Sequence, residues 1–476
     1  MKYRKKTKIV ATLGPSTLSK EILKNMLEAG VNLFRVNFSH AKHSDVKNRI
    51  DTIRELNEKH GFNAGILADL QGPKLRVGTM KEEVIVSKGD EISFVTGKEF
   101  QGTAERVFMN YEDFPKDVQA GERILLDDGK LIFEIISSNK KDEVVTKVIQ
   151  GGPLRSRKGV NLPNTNISLP AMTEKDIKDA LFAIEQKVDW IALSFVRHAK
   201  DLQELQKIIA DKSDHKIPII AKIEKPEGVK NIDKIVAYCD GLMVARGDLG
   251  VEIPAHEVPL IQKQLVLKAK KARIPVIIAT QMMETMITSL TPTRAEVNDV
   301  ANSVMDGADA VMLSGETSVG NYPVQVIQKM AQIIRSVEDS PLIKVPHDPP
   351  TVRTKRYITK SICFHAAEIA NEIDARAICT LTNSGYTAFQ ISAWRPESHI
   401  LAFTSNHRIL TQLSLLWGVS AVFYDEFVST DETVSDINNI AKEKKYVKKG
   451  DFVVNLSAMP IIDKGMVNTL RISEIK

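Results

Sequence analysis

Short apolar runs rich in Ile, Val and Leu recur along the first two thirds of the chain, and most are followed by a segment whose apolar positions have helical spacing. Eight runs have the length and composition of buried strands: Ile9–Leu13, Val31–Val36, Gly65–Leu70, Trp190–Val196, Ile217–Ile223, Gly241–Ala245, Val276–Thr280 and Ala310–Leu313. The helical segments include Ser19–Ala29, Asp45–Glu58, Glu174–Gln186, Val258–Lys271 and Arg294–Met305. A strand followed by a helix, repeated, predicts parallel strands.

Eight such units predict an α/β fold built on a closed (β/α)8 TIM barrel, whose active site lies at the carboxyl ends of the strands. Polar residues able to do chemistry follow the apolar runs, which favours a barrel over an open doubly wound sheet. They are Arg35, Asn37, Ser39, Asp69, Ser194, Lys222, Glu224, Asp248, Thr280, Gln281, Ser314 and Glu316.

The interval from about residue 72 to residue 167 interrupts the strand-helix rhythm. It has strand-like alternation and many turns, as in Glu83–Val86 and in Arg123–Leu126, which the turn sequence DDG follows. We interpret it as a β-barrel-like domain inserted after the third strand. It would emerge on the catalytic face, where it could close as a lid and exclude water. The alternative is an inserted domain that takes no part in the reaction.

A Pro-rich stretch, Val345–Pro350, separates a further domain in which strands alternate with helical segments. We predict a smaller α/β regulatory domain there, with strands Ala377–Leu381, Ile400–Phe403, Ala421–Tyr424 and Phe452–Asn455. The predicted boundaries are 1–71 and 168–340 for the barrel, 72–167 for the lid and 341–476 for the C-terminal domain.

Composition narrows the class of protein. With 43% hydrophobic and 26% charged residues the chain resembles ordinary globular proteins, and its net charge of +5 gives no reason to expect nucleic acid. Three widely spaced cysteines argue against a disulfide framework, and no apolar run approaches 18 residues. We therefore expect a cytoplasmic protein without a membrane partner. Neither a P-loop nor a Rossmann glycine motif occurs.

Two neighbouring strand ends carry the charges of greatest interest. Lys222 and Glu224 are two residues apart, so they should converge on one cavity, and Asp248 follows the next strand. Together they could form a divalent cation site suited to phosphoryl or enolate chemistry. A second candidate, a metal bound by His40 and His43, is less favoured than an ordinary pair at a helix start.

Four longer motifs make the comparison specific. Taken together, and in this order, they resemble the pyruvate kinase family over nearly the whole chain: Met243–Pro254 (MVARGDLGVEIP), Ala279–Glu284 (ATQMME), Pro292–Glu296 (PTRAE) and Met312–Thr317 (MLSGET). The resemblance implies Mg2+-dependent transfer of phosphate from phosphoenolpyruvate to ADP, giving pyruvate and ATP, with Mn2+ as a possible substitute. It also implies a homotetramer.

The resemblance assigns roles to individual residues. Glu224 and Asp248 would bind Mg2+, and Lys222 would stabilise the transition state. The expected catalytic residues are Lys222, Arg35, Thr280 and Ser314. The expected substrate contacts are Arg35, Lys222, Gly247, Asp248 and Thr280, and the expected nucleotide contacts are Asn37, His40, Arg76 and Lys158.

The monovalent cation site of the family departs from its common pattern here. Residues matching Asn37, Ser39, Asp69 and the Leu70 carbonyl hold K+ in many members, but the segment Ala68–Val77 (ADLQGPKLRV) resembles the K+-independent subgroup. Lys74 stands where other members have a carboxylate, so its ammonium could replace the ion. We expect turnover without added K+; the alternative is a solvated lysine and a working K+ site.

A phosphate loop is expected in the C-terminal domain. Thr382, Asn383, Ser384 and Thr387 follow its first strand and match the effector loop of related enzymes, although an ordinary capping turn is an equal reading of the spacing. The later loop Leu456–Ile462 does not resemble the loop that binds fructose 1,6-bisphosphate. We therefore expect a sugar monophosphate or AMP as activator.

Two alternatives remain at this point. A different barrel that handles phosphoenolpyruvate, such as a metal-dependent lyase or a phosphotransferase, would also place carboxylates beside an arginine, but would leave the insertion unexplained. A non-catalytic regulatory protein would be expected to lack Lys222 or a metal carboxylate, and the chain has them all.

Overall fold

The computed structural model describes residues 5–39, 41–82, 84–340, 356–426, 429–459 and 465–476. The strands are β1 (Lys8–Thr12), β2 (Leu33–Asn37), β3 (Gly65–Asp69), β4 (Ile85–Val86), β5 (Glu91–Val95), β6 (Arg106–Phe108), β7 (Arg123–Leu126), β8 (Leu131–Ser138), β9 (Glu143–Gln150), β10 (Gly152–Pro153), β11 (Val160–Asn161), β12 (Trp190–Leu193), β13 (Ile219–Ile223), β14 (Gly241–Ala245), β15 (Val276–Ala279), β16 (Ala310–Leu313), β17 (Ala377–Leu381), β18 (His399–Thr404), β19 (Val419–Phe423), β20 (Phe452–Ser457) and β21 (Thr469–Glu474).

The helices of the barrel and lid are α1 (Lys20–Ala29), α2 (His43–His60), α3 (Phe114–Asp117), α4 (Glu174–Glu185), α5 (Ala199–Lys212), α6 (Pro226–Lys230), α7 (Ile232–Ile235), α8 (Arg246–Glu252), α9 (Val258–Ala272), α10 (Arg294–Asp306), α11 (Gly315–Ser318) and α12 (Pro323–Glu338). The C-terminal domain adds α13 (Tyr357–Glu372), α14 (Tyr386–Ala393), α15 (His407–Gln412) and α16 (Thr430–Glu443). Short 3-10 helices span Pro15–Thr17, Glu284–Ile287 and Leu413–Leu415.

Eight parallel strands form a closed barrel in the order β1-β2-β3-β12-β13-β14-β15-β16. The last strand, β16, pairs with β1 and closes the barrel. The predicted (β/α)8 barrel is thus confirmed. Apart from two side chains of β2, every residue of these strands is buried, because helices cover the outside and side chains fill the inside. This double burial explains why the strands read as continuous apolar runs instead of alternating ones.

The outer helices begin where their sequences provide caps. Thr173 and Asp176 form a reciprocal capping box at the start of α4, and Thr293 and Glu296 form another at the start of α10. These caps fix the residue at which each of the two helices starts. None of the helices described is long and apolar enough to cross a membrane.

The insertion between β3 and β12 is a curled mixed sheet in the order β11-β7-β8-β9-β5-β6. Its two edges approach each other through the segment after Gly72, because Arg76 pairs with Gly159 beside one edge and Val77 pairs with Met109 beside the other. The sheet encloses its own apolar core around Phe94, Phe114 and Phe133. The predicted β-barrel-like lid domain after strand three is therefore confirmed as a fold.

The C-terminal domain is a five-stranded sheet in the order β19-β18-β17-β20-β21, packed by helices on both faces. Four strands are parallel and correspond to the four predicted ones, whereas the edge strand β21 is antiparallel and the sequence analysis missed it. The Pro-rich segment Val345–Pro350 lies outside the described residues. The domain packs against the amino end of the barrel, where Trp190 donates a hydrogen bond to the Gln412 carbonyl (3.2 Å).

Candidate active site

A buried cluster of charges occupies the carboxyl end of the barrel. Lys222 Nζ lies 3.0 Å from Asp69 Oδ1 and 3.1 Å from Glu224 Oε1, and all three side chains are at least 90% buried. Lys222 is in β13 and Glu224 directly follows it, so the strand alternation brings both into one cavity. Asp69 ends β3, on the other side of β12.

Arg35 extends the cluster from β2. Its Nε lies 2.6 Å from Asp69 Oδ2, and its Nη1 donates to Thr12 Oγ1 (3.1 Å) at the end of β1. Both oxygens of Asp69 are therefore engaged, one by an ammonium and one by a guanidinium. This carboxylate holds the two cations at a fixed separation before any substrate arrives.

Ser194 and Phe195, just after β12, complete the surroundings of Lys222 and Glu224. Lys222 donates to Ser194 Oγ (2.6 Å), Ser194 Oγ donates to the Leu70 carbonyl (2.7 Å), and the Phe195 amide donates to Glu224 Oε2 (2.8 Å). Phe195 has φ 53°, which aims its amide into the site at a cost in backbone strain. Sequence analysis placed Ser194 at a strand end but assigned it no role, and it missed Phe195.

The pKa values of the three groups follow from burial and mutual contact. Burial alone would lower the pKa of Lys222, but Asp69 and Glu224 outweigh burial and hold it above the ordinary value. Burial would raise the pKa of Asp69, but Lys222 and Arg35 keep it below its usual range. For Glu224, burial raises the pKa, and Asp248 and Asp69 add to this against the opposing charge of Lys222.

Glu224 and Asp248 fit a divalent cation. Burial raises the pKa of Glu224 and the charge of Asp248 adds to this, so a cation bound by both carboxylates would relieve their repulsion. Across the described ranges there is no group of three or more His, Cys, Asp or Glu side chains that could hold a metal. A site with two carboxylates suits Mg2+, which keeps several water ligands and takes others from substrate phosphates.

Thr280 and Gly247 contact each other at the ends of β15 and β14. Thr280 Oγ1 accepts a hydrogen bond from the Gly247 amide (2.7 Å) and donates to the Ala279 carbonyl (2.6 Å). Thr280 has φ 72°, a conformation that β-branched residues rarely adopt, so the surroundings must enforce it. Arg246 does so in part by donating to the Thr280 carbonyl (2.8 Å) while it pairs with Asp299 (2.6 Å). Sequence analysis assigned Arg246 no role.

Ser314 lies at the end of β16 beside a buried carboxylate. Its amide donates to Glu316 Oε2 (2.7 Å), and the other oxygen of Glu316 accepts from the Met283 amide (3.1 Å). Glu316 thereby ties the loop after β16 to the loop after β15, which carries Thr280. The two predicted hydroxyl residues are thus on connected loops.

The residues expected to contact nucleotide divide between lid and barrel. Lys158 pairs with Asp127 (2.9 Å) and Arg76 donates to the Arg157 carbonyl (3.0 Å), so both are held within the lid. Asn37 ends β2 and accepts from the Ser39 amide (3.1 Å). His40 lies outside the described residues.

His43 has a structural environment. Its Nε2 lies 2.7 Å from Asp179, and its ring stacks on Phe182 with centroids 4.1 Å apart. These contacts anchor the start of α2 to α4, in agreement with the interpretation of a pair at a helix start.

A cleft lies between the lid and the barrel. The lid contributes Asp128, Gly159 and Asn161, the segment entering it contributes Lys74, and the barrel contributes Phe195, Lys225, Asp248 and Glu252. Lys74, the candidate K+ substitute, is half-buried there. The cleft therefore joins Asp248, a predicted metal ligand, to the segment that carries Lys158.

The C-terminal domain has a separate cavity of about 410 Å3. Thr382, Asn383, Ser384 and Thr387 all line it, and Arg356, which stacks on Tyr386 with its guanidinium 4.2 Å from the ring centroid, supplies a positive charge. The Thr382 hydroxyl accepts from the Gly385 amide (3.0 Å) at the start of α14. Part of the later loop, residues 460–464, lies outside the described residues.

Comparisons with known proteins place this geometry in a family. Residues 4–327 match the model "Pyruvate kinase, barrel domain" and residues 360–473 match "Pyruvate kinase, alpha/beta domain". Together the two models account for the barrel, the lid and the C-terminal domain.

Full-length relatives agree. The chain is 41% identical over 469 residues to a pyruvate kinase of Corynebacterium glutamicum, covering 98% of this chain and 97% of that one. It is 42% identical over 473 residues to a pyruvate kinase of Geobacillus stearothermophilus, covering 99% and 81%. A crystal structure of a pyruvate kinase from Cryptosporidium parvum superimposes with a TM-score of 0.92 at 34% identity, covering 99% and 96%. This set of matches favours neither a lyase nor a non-catalytic protein, and the chain belongs to the pyruvate kinase family.

Proposed function

We propose that this enzyme transfers the phosphoryl group of phosphoenolpyruvate to ADP in a cleft between the barrel and the lid, with Lys222 as the central cation. The observation that supports this most is the contact of Lys222 with both Asp69 and Glu224, which fixes a buried ammonium beside a metal carboxylate. A transferring phosphoryl group carries negative charge on its equatorial oxygens, and fixed cations stabilise it best.

Each residue has a defined task in this proposal. Arg35, already oriented by Asp69, binds the phosphate, and Lys222 stabilises the charge that develops on it. Glu224 and Asp248 would hold Mg2+, which would supply positive charge to offset the negative charge of the reacting substrate. Thr280 and Ser314 shape the region where the methylene carbon gains its proton. Gly247, without a side chain, leaves room for the substrate carboxylate.

The lid delivers the nucleotide contacts. Lys158 exchanges its partner Asp127 for the phosphates of ADP, and Arg76, Asn37 and His40 complete the nucleotide site. We take the lid to span residues 72–167, between barrel segments 1–71 and 168–340.

Steady-state turnover tests the whole proposal. Pyruvate and ATP should form at equal rates from phosphoenolpyruvate and ADP with Mg2+ or Mn2+, and chelation of the metal should abolish both. Pyruvate without ATP would indicate a different reaction.

The K+ requirement is a separate proposal. Two oxygen positions that would bind K+ already accept protein donors, since Lys222 and Arg35 engage Asp69, and Ser194 donates to the Leu70 carbonyl. Lys74 in the cleft adds a nearby ammonium. We expect full turnover in potassium-free buffer, and Lys74→Glu should create a K+ requirement. A large activation of the unmodified enzyme by K+ would contradict the proposal.

The activator is proposed to be a sugar monophosphate or AMP. Hydroxyl and amide donors at the start of α14, with one arginine at the cavity, suit a single phosphate. Titration of AMP and sugar monophosphates against phosphoenolpyruvate saturation should lower the half-saturating concentration, and Thr387→Val should weaken this effect. If none of these phosphates changes the half-saturating concentration of phosphoenolpyruvate, the loop has only a structural role.

A homotetramer is proposed from two exposed apolar faces. Leu260 (64% exposed) and Leu267 (58%) are seven residues apart on one side of α9, and the edge strand β21 exposes Ile472 (46%). Each face can be covered by the same face of a second copy. Sedimentation should give four subunits, and Leu267→Glu should give dimers.

A further inference from the structure

The lid is joined to the barrel by a hydrogen bond to a buried ion pair. Asn161 Nδ2 donates to Glu252 Oε1 (2.7 Å), and Lys225 Nζ lies 2.6 Å from the same oxygen. The Glu252 side chain is fully buried and that of Lys225 is 9% exposed. The other carboxylate oxygen of Glu252 is buried without a hydrogen bond partner among the described residues. The proposed chemistry uses neither member of this pair.

Both members of the ion pair lie in the segments that follow β13 and β14. Lys225 follows the metal carboxylate Glu224 at the end of β13, and Glu252 ends α8, whose first turn carries Asp248. The pair therefore connects the loops that follow two neighbouring strands. Its burial makes it rigid, because separating the charges would leave each of them unsatisfied in an apolar environment.

On the lid, Asn161 belongs to the segment that carries Lys158. The Asp127 amide donates to the Gly159 carbonyl (3.1 Å) and the Val160 amide donates to the Leu75 carbonyl (2.9 Å), which fixes this segment in the lid sheet. Lys158 and Asn161 consequently move as one unit. The position of Asn161 on the barrel decides how close Lys158 comes to the metal side of the cleft.

A second contact lies beside the first. The turn after β7 reaches the same end of α8, since a Cβ added at Gly129 would lie 4.0 Å from Val251 Cγ1. At the base of the lid, Arg197 donates to the carbonyls of Ile167 (2.7 Å) and Leu169 (2.6 Å). The contacts of Arg197 attach the base of the lid to the barrel independently of Asn161. The Asn161–Glu252 hydrogen bond is a separate attachment, within the cleft.

We propose that Glu252, oriented by Lys225, is a positioning residue that binds Asn161 and holds the lid closed, so that Lys158 is in place for the nucleotide. This rests on the proposed function of Lys158. When the bond is lost, the closed state becomes less populated and the apparent affinity for ADP falls by the same factor. Saturating ADP restores closure, because the nucleotide itself bridges lid and barrel. Phosphoenolpyruvate, bound by the barrel, is unaffected.

Kinetics of Asn161→Ala test the proposal, with Asn164→Ala as the matched control. Asn164 is an exposed asparagine three residues further along the lid. Asn161→Ala should raise the KM for ADP roughly tenfold, as expected for loss of a hydrogen bond to a charged group. The kcat and the KM for phosphoenolpyruvate should stay within about twofold. An unchanged KM for ADP in Asn161→Ala, or an equal rise in both variants, would overturn the proposal.

The position of the lid provides a readout that does not depend on turnover. The three native cysteines are buried, so cysteines introduced at the exposed positions Lys98 of the lid and Glu257 of the barrel can be spin-labelled selectively. Asn161→Ala should shift the distance distribution to longer separations without nucleotide, and Asn164→Ala should not. Identical distributions would refute closure by Glu252 even in a fully active enzyme, whereas an inactive unmodified enzyme would refute the proposed function instead.

Discussion

The two ends of the barrel use the same charged residue types for different purposes. At the amino end, the Asp309 carboxylate accepts from the Val276 amide (2.9 Å) and from Arg395 (2.9 Å), which packs over Trp417 of the C-terminal domain. At the carboxyl end, the charges of Lys222 and Glu224 contact each other instead. Both ends are buried.

The difference lies in how completely each charge is satisfied. At the amino end, the Val276 amide and Arg395 compensate the charge of Asp309, and the result joins two domains. At the carboxyl end, Asp69 and Glu224 both contact Lys222, and burial together with the charges of Asp248 and Asp69 raises the pKa of Glu224. A buried carboxylate that is repelled by neighbouring carboxylates therefore distinguishes the carboxyl end from the paired charges of Asp309 and Arg395.

Substitution of Glu224 by Gln should have the largest effect. We expect kcat to fall about 10³-fold, the scale for loss of a principal electrostatic stabiliser. The thermal midpoint in metal-free buffer should stay the same or rise, because a neutral side chain removes a buried charge and its repulsion by Asp248 and Asp69. Turnover and thermal unfolding measure the two effects. If Glu224→Gln lowers stability as well as activity, the charges at the two ends do not differ in purpose as we propose.

Substitution of Arg395 by Met at the amino end should give the reverse result. It removes the contacts with Asp309 and with the Gly307 carbonyl (2.7 Å), leaving a buried carboxylate with less compensation. We expect a loss of about 3–5 kcal/mol in unfolding free energy, measured by urea denaturation, with kcat at 25 °C within about twofold.

The control for that variant is Arg408→Met. Arg408 pairs with Asp214 across the same interface (3.2 Å), but the side chains are 39% and 75% exposed. Its loss should cost no more than about 1 kcal/mol. Equal costs for the two arginines would show that burial is not the deciding factor.

Asp189 should give the amino end a pH dependence of stability. Burial raises the pKa of Asp189 from 3.8 to about 6, although Thr411 and the Ile66 amide donate to it. The folded state thus binds the proton more tightly than the unfolded state does. Its contribution to stability is fully present below pH 4 and is lost as pH rises through 6, by about 3 kcal/mol.

Comparison with Asp189→Asn isolates this contribution. The unfolding free energy of the unmodified enzyme minus that of the variant should decrease between pH 4 and pH 7, as followed by urea denaturation at each pH. A constant difference would mean that folding leaves the pKa of Asp189 unchanged, and a difference that increases with pH would mean that folding lowers it; both results would contradict the prediction.

The smallest expected effect comes from a single neutral bond at the amino end. Asn63 donates to the Ala421 carbonyl of the C-terminal domain (3.0 Å). Asn63→Ala should lower the unfolding free energy by about 1 kcal/mol and leave kcat unchanged. A measurable change in kcat would show that the two ends communicate through this contact.

The barrel could be predicted from sequence because its signals are local. Continuous apolar runs predicted the strands, and those of β14 and β16 have the predicted bounds. Several runs ended too late. Trp190–Val196 was predicted as one strand, but β12 ends at Leu193, since Phe195 adopts a positive φ to aim its amide at Glu224. Tertiary demands at the site override local preference there.

Less of the candidate site than of the barrel could be predicted from sequence. The convergence of Lys222 and Glu224 follows from strand alternation, but the contact with Asp69 depends on barrel closure, which no local pattern encodes. Ser194 was placed at a strand end without a role, and Arg246 was included only within a family motif, because their partners come from distant loops. The edge strand β21 was missed since none of its side chains is buried and no apolar run marks it.

The insertion of the lid between β3 and β12 has a consequence for the nascent chain. These strands are hydrogen-bonded neighbours, yet the chain between them spans residues 70–189. At about 5–20 residues per second, the ribosome leaves the edge of β3 without its partner for on the order of ten seconds. The lid has its own apolar core and can fold during this interval, before the barrel that it covers is complete.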